Sequence, residues 1–568
     1  MSAVAPDPAA LADLVPRLRP PAVVLDPAEL GTIRRNRHAF SRSLLRTAAR
    51  ERWSVETELA ELDADGRGTI IHRIDMGGVV CRAIVFSDVI AEEDRDDRVI
   101  ATRWDAAIAL VAGPIDADRR AELEANVPRQ EDGRAPAGTL IWGRANRSAR
   151  YFDYVVGRLA EGLQPEPDRV GDAAYLIRST AFYANGKWGL ADYDGIAEDH
   201  PLRLPYRAQM LCAWLLRETS LQLVEHCARA RSDRAVPLAG AWRRHFGIGN
   251  ATGLGMVPYV IVHPRVMHSW VLRRELALAH ALTRAPAAGD LERLVGLLER
   301  THRYLAEQTQ LETAPYRTGP ELAAGLEPVL ERARALAAEA APTDPFRDLH
   351  ERAAAEGIEV RQVVDSLLVE LDDSLDDALD ALLPVDERLE LDPARTCGEL
   401  LARIEADYAW IDAYDFADDV ETDMFWFYAE DSQEPRRART GEPGEDVQMP
   451  IGIARAVTEL RADLRACDPD LPVGDLLVER PWRIGTVERI EGLGGHAYAE
   501  ARVNPLSSRF IPLDLQRFQL ACYGMDNFDP QSTDWLRVTL YGGAPRAEDV
   551  AAGVDDDWLF APRPAASA

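Results

Sequence analysis

Cysteine, lysine and long apolar runs are scarce in this chain, and each scarcity narrows what the protein can be. The six cysteines, Cys81, Cys212, Cys227, Cys397, Cys467 and Cys522, are scattered with no C-x-x-C pair. That spacing supports neither a disulfide framework nor a zinc knuckle and fits a reducing compartment. No apolar run reaches the roughly 18 residues that a membrane-spanning helix needs. The stretch from Met1 to Asp26 is rich in Ala and Pro and lacks a basic region followed by an apolar one. It does not read as a secretory signal, so a cytoplasmic location is expected. Lysine is rare enough that positive charge rests almost wholly on arginine.

Acidic charge is abundant instead. Asp and Glu number 95 against 65 Lys and Arg, a formal net charge of −30 over 568 residues. Nucleic acid and anionic membrane surfaces select for a cationic face, so neither is an expected partner. The chain is 47% hydrophobic and 28% charged, which is globular composition rather than disorder. A chain of this length buries a sizeable core without disulfides.

Patterning suggests four regions. In the first, 1–135, a basic helical stretch runs from Ile33 to Arg52. Thr69–Asp75 and Val79–Ser87 flank Gly77-Gly78 as a β-hairpin, and Val99–Val111 offers a further strand. In the second, 136–342, apolar residues recur at helical spacing in Ala149–Leu163, Ala173–Phe182, Tyr206–Ala230, Pro264–Leu282 and Leu291–Leu305. The third, 343–470, is acidic and helical. In the fourth, 471–568, β signals return at Trp482–Ile490, Ala497–Val503 and Trp535–Tyr541, with a helix over Pro512–Cys522 and a loose tail. The pattern predicts an α+β, predominantly helical protein. Its centre is a helical bundle, flanked by N- and C-terminal regions containing small antiparallel sheets. Tyr206–Ala230 is apolar on most faces, which predicts burial in a bundle or at a subunit contact, and assembly of a homo-oligomer through the apolar helices of 206–282 is expected.

The run Gly247-Ile248-Gly249-Asn250-Ala251-Thr252-Gly253-Leu254-Gly255 stands between helical segments. It matches neither a Rossmann fingerprint nor a Walker A loop. Glycine serves where backbone must approach something closely. Gly249, Asn250, Thr252 and Gly253 are therefore candidate ligand contacts, with Arg243, Arg244 and His245 adding positive charge. A close helix crossing is the structural alternative.

Asn185-Gly186-Lys187-Trp188-Gly189 follows Arg178. A partly desolvated lysine serves as a general base or a Schiff-base amine. An Asn-Gly turn with a solvated Lys187 is the plainer reading. Arg144, Arg147 and Arg150 fall at i, i+3 and i+6, one face of a helix, and arginine suits bidentate oxyanion binding. In an acidic protein they equally well pair with Asp and Glu. His496 follows three glycines in Gly492-Leu493-Gly494-Gly495 and is the most site-like histidine, whereas His226 on an apolar helix reads as a core residue. Asp415–Arg439 interleaves carboxylates with aromatics, which suits an acid/base site, an oxygen-ligand site for a hard metal, or a core edge with a solvated face.

These residues predict a cytoplasmic enzyme acting on a small anionic metabolite, a carboxylate or phosphate, by lyase or isomerase proton transfer. Lys187 or His496 moves the proton; Arg147, Arg178, Asn185 and the glycine-rich run hold the anion. A flavin- or nicotinamide-dependent oxidoreductase with a non-Rossmann site is one alternative, and a non-catalytic scaffold is the other. No residue is assigned as a metal ligand, and the cofactor is left open.

Overall fold

The computed structural model describes the chain except residues 1–8, 92–103, 129–135, 185–186, 189–190, 254–263, 309–315, 384–390, 417–423, 429–434, 440–448, 451–452, 495–497, 499–511, 526–528, 531–534, 555–557, 561–562 and 565–568. The chain forms two units. One comprises Met1–Arg34, Gly253–Val295 and Pro328–Cys522; the other comprises Arg35–Thr252, Gly296–Glu327 and Tyr523–Ala568.

The second unit is built on a large sheet, which overturns the expected central bundle flanked by small antiparallel sheets. Its full strands are β1 (Ser54–Leu62), β2 (Gly68–Met76), β3 (Val79–Ser87), β4 (Ala106–Ala112), β5 (Thr139–Arg147), β6 (Tyr175–Ala184), β8 (Gly247–Gly253) and β13 (Trp535–Leu540). The two-residue strands β7 (Lys187–Trp188) and β12 (Asp529–Pro530) complete it. β1 to β6 pair antiparallel in chain order. β8 then joins β6 in parallel, making the curled sheet mixed. Parallel neighbours need a long crossover, and here it holds the helices Arg207–Arg231 and Gly240–His245.

The hairpin expected around Gly77-Gly78 is present, with Met76 facing Val79. Both glycines take positive φ, +73° and +103°, as a primed two-residue turn demands. Ala173–Phe182, in contrast, is strand β6 and not helix. Leu176 and Ile177, which face opposite sides of the sheet, are both fully buried. A strand covered on both faces is a continuous apolar run, and periodicity alone does not separate it from a helix.

The helix Arg207–Arg231 covers the sheet, packing on β3 to β6 and on the helices Phe40–Arg50 and Phe152–Ala160. Met210, Trp214, Leu215, Leu216 and Val224 are buried there. Its apolar faces are thus satisfied within the chain, which removes the reason for placing a subunit contact on it. Cys212 and Cys227 are buried in it, and all six cysteines are free thiols. His226, expected in the core, is only partly buried and meets the Asp63 carbonyl at 2.7 Å.

His72 on β2 is the buried histidine of this sheet, with Nε2 3.0 Å from Thr219 Oγ1 and Nδ1 3.3 Å from Thr57 Oγ1. Burial brings its pKa from 6.5 down to about 4. The unfolded chain therefore binds this proton first as pH falls. Stability is expected to drop by about 3 kcal/mol between pH 6.5 and pH 4 from His72 alone. Denaturant midpoints at the two pH values check this, because His72→Gln should lose less stability over the window by that amount. An equal loss in both proteins would contradict it.

The first unit is helical. Pro264–Thr283 packs on Pro345–Glu356 and Ile358–Val369, and Cys397–Asp407 packs on Ile453–Ala466. The stretch Trp482–Ile490, expected as strand, is a 3-10 turn running into the helix Ile484–Leu493, with Val487, Ile490 and Leu493 buried along one face. Within Asp415–Arg439, Met424–Tyr428 and Pro435–Arg439 pair antiparallel, and Met449–Pro450 extends that small sheet. Arg274 and Glu275 are buried together, and Glu275 also takes a two-pronged bond from Arg19 at 2.7 and 2.8 Å. Ala497 and 499–503 lie outside the described residues. No helix among the described residues is long and apolar enough to cross a membrane.

Candidate functional site

Within the glycine-rich run, Gly247–Gly253 is a strand and not a loop, and 254–255 lie outside the described residues. β8 lies between β6 and β13, inside the sheet. A Cβ on Gly247 would meet the Leu540 carbonyl, and a Cβ on Gly249 would fall into the Tyr175 ring. Both glycines therefore allow close packing of strands. Gly249 is aligned with Arg178 on β6, and Arg178 with Asn146 on β5.

The other candidates are dispersed. Lys187, the only lysine of the sequence, pairs with Ala184 at the far end of β6. Six residue steps along the strand separate Ala184 from Arg178, about 20 Å of backbone. Arg144 and Arg147 lie on β5 and Arg150 lies beyond its end, so the helical face expected for them does not exist. Each instead covers an aromatic ring. Arg144 sits 4.5 Å from the centroid of Trp104, Arg147 4.4 Å from that of Phe152, and Arg150 4.6 Å from that of Tyr151. Arg147 also donates to the Asp65 carbonyl at 3.1 Å. Asn250, Thr252 and Gly253 continue β8. Asn185 and His496 lie outside the described residues.

Sequence reading missed a pocket directly ahead of β8. The helix Gly240–His245 ends there, and a helix end leaves carbonyls without partners. Arg217, fully buried on the long helix, takes them: Nε donates to Phe246 O at 2.8 Å and Nη2 to Arg243 O at 3.0 Å. The same guanidinium donates to Ala544 O at 3.0 Å and Pro545 O at 3.2 Å, joining the helix end to the turn after β13. Burial brings Arg217 down to about 10, so it remains cationic at neutral pH. Glu218 sits 2.9 Å from Arg217 Nη1 and also receives Arg546 at 2.9 Å.

The turn itself is held by backbone geometry. Tyr541 has φ +65° and Gly543 has φ +83°, the left-handed region where glycine carries no Cβ penalty. Gly543 N–H donates to Arg244 O at 2.7 Å, and Arg244 Nη2 returns a bond to Gly543 O at 2.8 Å.

The pocket that results is lined by Arg35, Asp172, His245, Tyr304, Gly542, Gly543 and Arg563. Its inner space is about 20 Å³, roughly one water-sized sphere. Arg563 is ion-paired with the buried Asp172 at 2.5 Å. Arg35 is 3% exposed, donates to Gly524 O and Leu559 O, and stacks on Trp558. Within the tail expected to be loose, the described Trp558, Leu559 and Phe560 are buried and Arg563 reaches the pocket. That apolar triplet was the available signal.

His245 was expected to add positive charge, and the structure reverses this. Desolvation lowers its pKa from 6.5 to about 4, so it is neutral at physiological pH. The Gly171 carbonyl and Asp172 oppose that shift, while Arg563 adds to it. Its Nε2 lies 3.4 Å from Gly171 O, and its ring stands edge-on to Trp242 at 5.6 Å. With Nε2–H turned to that carbonyl, Nδ1 holds the lone pair. A neutral imidazole beside two arginines and one carboxylate suits proton transfer next to a bound oxyanion.

Comparison with family models, with curated proteins and with solved structures finds no match to this chain.

Proposed function

We propose that this chain is a cytoplasmic enzyme acting on a small anionic metabolite, a carboxylate or phosphate, by proton transfer of the lyase or isomerase kind. One observation carries the reading: His245, kept neutral by burial, lines a pocket with the Asp172–Arg563 pair and Arg35. A strongly shifted titratable group in a cavity with a charged partner is a functional-site signature. In this reading Arg563 orients one oxygen of the substrate's anionic group at the pocket, whose inner space holds about one water-sized group, and His245 accepts the proton. Asp172 holds the Arg563 guanidinium. The six free cysteines support a reducing compartment.

The test is incubation of the protein with a small-metabolite extract, followed by mass spectrometry. A consumed anion should disappear about 10²–10⁴-fold more slowly with His245→Gln, which removes proton transfer and keeps bulk. Turnover should hold from about pH 8 to about pH 5 and fall as His245 protonates near pH 4. Lys187→Met should turn over as the parent does. Equal consumption by His245→Gln would remove His245 from the chemistry.

A further inference from the structure

A short duplication lies in the helical unit. Asp392-Pro393-Ala394-Arg395-Thr396-Cys397-Gly398-Glu399-Leu400-Leu401 recurs as Asp468-Pro469-Asp470-Leu471-Pro472-Val473-Gly474-Asp475-Leu476-Leu477, with Asp, Pro, Gly, an acid and two leucines at the same offsets. The two copies make the same local structure. In each, the aspartate closes its own turn: Ala394 N–H donates to Asp392 Oδ1 at 3.0 Å, and Asp470 N–H to Asp468 Oδ1 at 3.1 Å. In each, a helix follows, Cys397–Asp407 in the first and Val473–Glu479 in the second.

The copies face each other antiparallel about a local two-fold axis, with Thr396 bridged to Pro472. Their contacts come in matched pairs. Cys397 N–H donates to Leu471 O and Val473 N–H to Arg395 O, both at 2.8 Å. Gly398 N–H donates to Pro469 O and Gly474 N–H to Pro393 O, both at 2.9 Å. A Cβ on Gly398 would lie 3.1 Å from Pro469 O, and one on Gly474 would lie 3.1 Å from Pro393 O. Each glycine thus stands where the other copy comes too close for a side chain.

The axis gives each residue a counterpart, and one pair of counterparts differs in kind. Cys397 corresponds to Val473, and both are fully buried. Cys467, just ahead of Asp468, corresponds to Leu391, just ahead of Asp392, and both are partly buried against the same core. One side of the axis therefore holds an aliphatic pair. The other holds two thiols that meet in a side-chain hydrogen bond. The Leu391 and Val473 side shows that packing at this place does not require sulfur.

The two thiols differ in access. Cys467 is partly exposed beyond the end of the helix Ile453–Ala466, whereas Cys397 is shut inside. Desolvation raises the Cys397 thiol above its ordinary range, and the neighbouring Cys467 sulfur raises it further, so Cys397 is a protonated thiol at neutral pH. Oxidation favours the accessible sulfur, and a redox-sensing cysteine sits beside a second one that resolves it.

We infer that Cys397 and Cys467 form a reversible disulfide when the protein meets a hydroperoxide, with Cys467 oxidised first and Cys397 as its resolving partner. The Cys467 sulfur attacks the O–O bond and becomes a sulfenic acid, releasing water. The Cys397 sulfur then attacks the Cys467 sulfur, and its proton leaves with the displaced hydroxyl as a second water. Two thiols lose two electrons and two protons, and the peroxide is reduced to two waters. The bond ties the helix Cys397–Asp407 to the end of the helix Ile453–Ala466, on which it packs. This site is independent of the chemistry assigned to His245.

The test is treatment of the folded full-length protein with hydrogen peroxide, alkylation of the remaining thiols in denaturant, and mass spectrometry of a non-reduced digest. The parent should give a peptide pair joined through Cys397 and Cys467, lighter by two hydrogens than the separate thiol peptides and parted again by dithiothreitol. Cys81, Cys212, Cys227 and Cys522 should be recovered as alkylated thiols. Cys397→Val, which copies the residue at Val473, should fold as the parent does and leave Cys467 as a sulfenic acid that dimedone captures several-fold more than in the parent. Cys467→Leu, which copies Leu391, should leave Cys397 unoxidised. The proposal is overturned if peroxide leaves Cys397 and Cys467 as alkylated thiols in the parent, or joins either of them to another cysteine instead. Capture of Cys397 by dimedone in Cys467→Leu would overturn the assigned order.

Discussion

A Gly249→Val variant is expected to melt about 2–12 °C below the parent, whether or not any ligand is present. Gly249 lies within a packed sheet, and a side chain there enters the ring of Tyr175, itself 5% exposed. Overpacking of this kind costs about 1–3 kcal/mol, and the aromatic ring has little room to yield. Differential scanning calorimetry reads the effect. A ligand-facing loop at this position would tolerate valine, so an unchanged melting temperature would contradict the sheet assignment.

Arg217→Met should be more damaging, by about 3–5 kcal/mol in denaturant unfolding. Methionine fills much of the volume but donates nothing. The carbonyls of Phe246, Ala544 and Pro545 would lose a donor at once. Glu218 would keep only its Arg546 partner as a charged donor. Arg217→Lys should recover only part of the loss, because one ammonium cannot span carbonyls on both sides of a planar fork. The anchor of His245 would loosen as well. A loss below about 1 kcal/mol would show that the turn after β13 holds the helix end without Arg217.

These two residues show what was legible in the sequence and what was not. The Gly77-Gly78 hairpin was readable because alternating residues flank two glycines in the positive-φ turn they permit. The long helix Arg207–Arg231 was readable from its length and apolar content. Strand β6 was not, since burial of both faces erases the period of two that marks a half-exposed strand. Strand β8 was not, since glycine signals close approach without saying whether a ligand or a neighbouring strand approaches. The arginines were the hardest. Charge in a sequence reads as solvated surface, yet Arg35, Arg42 and Arg217 are buried by partners drawn from distant segments. His245 was noticed for its charge, and only its three-dimensional surroundings show that burial takes the charge away.

The measurement that tests the central assignment most directly is hydrogen–deuterium exchange with and without an excess of the small-metabolite extract. Binding at the pocket should slow exchange in residues 171–175, 243–247 and 541–545, which carry or adjoin Asp172, His245 and Gly542–Gly543. His245→Gln and an Arg563→Met variant should lose that protection while exchange in β1 to β4 stays unchanged. Protection confined to the strand end at Ala184 and Lys187, or protection that survives both substitutions, would contradict the pocket as the site of function.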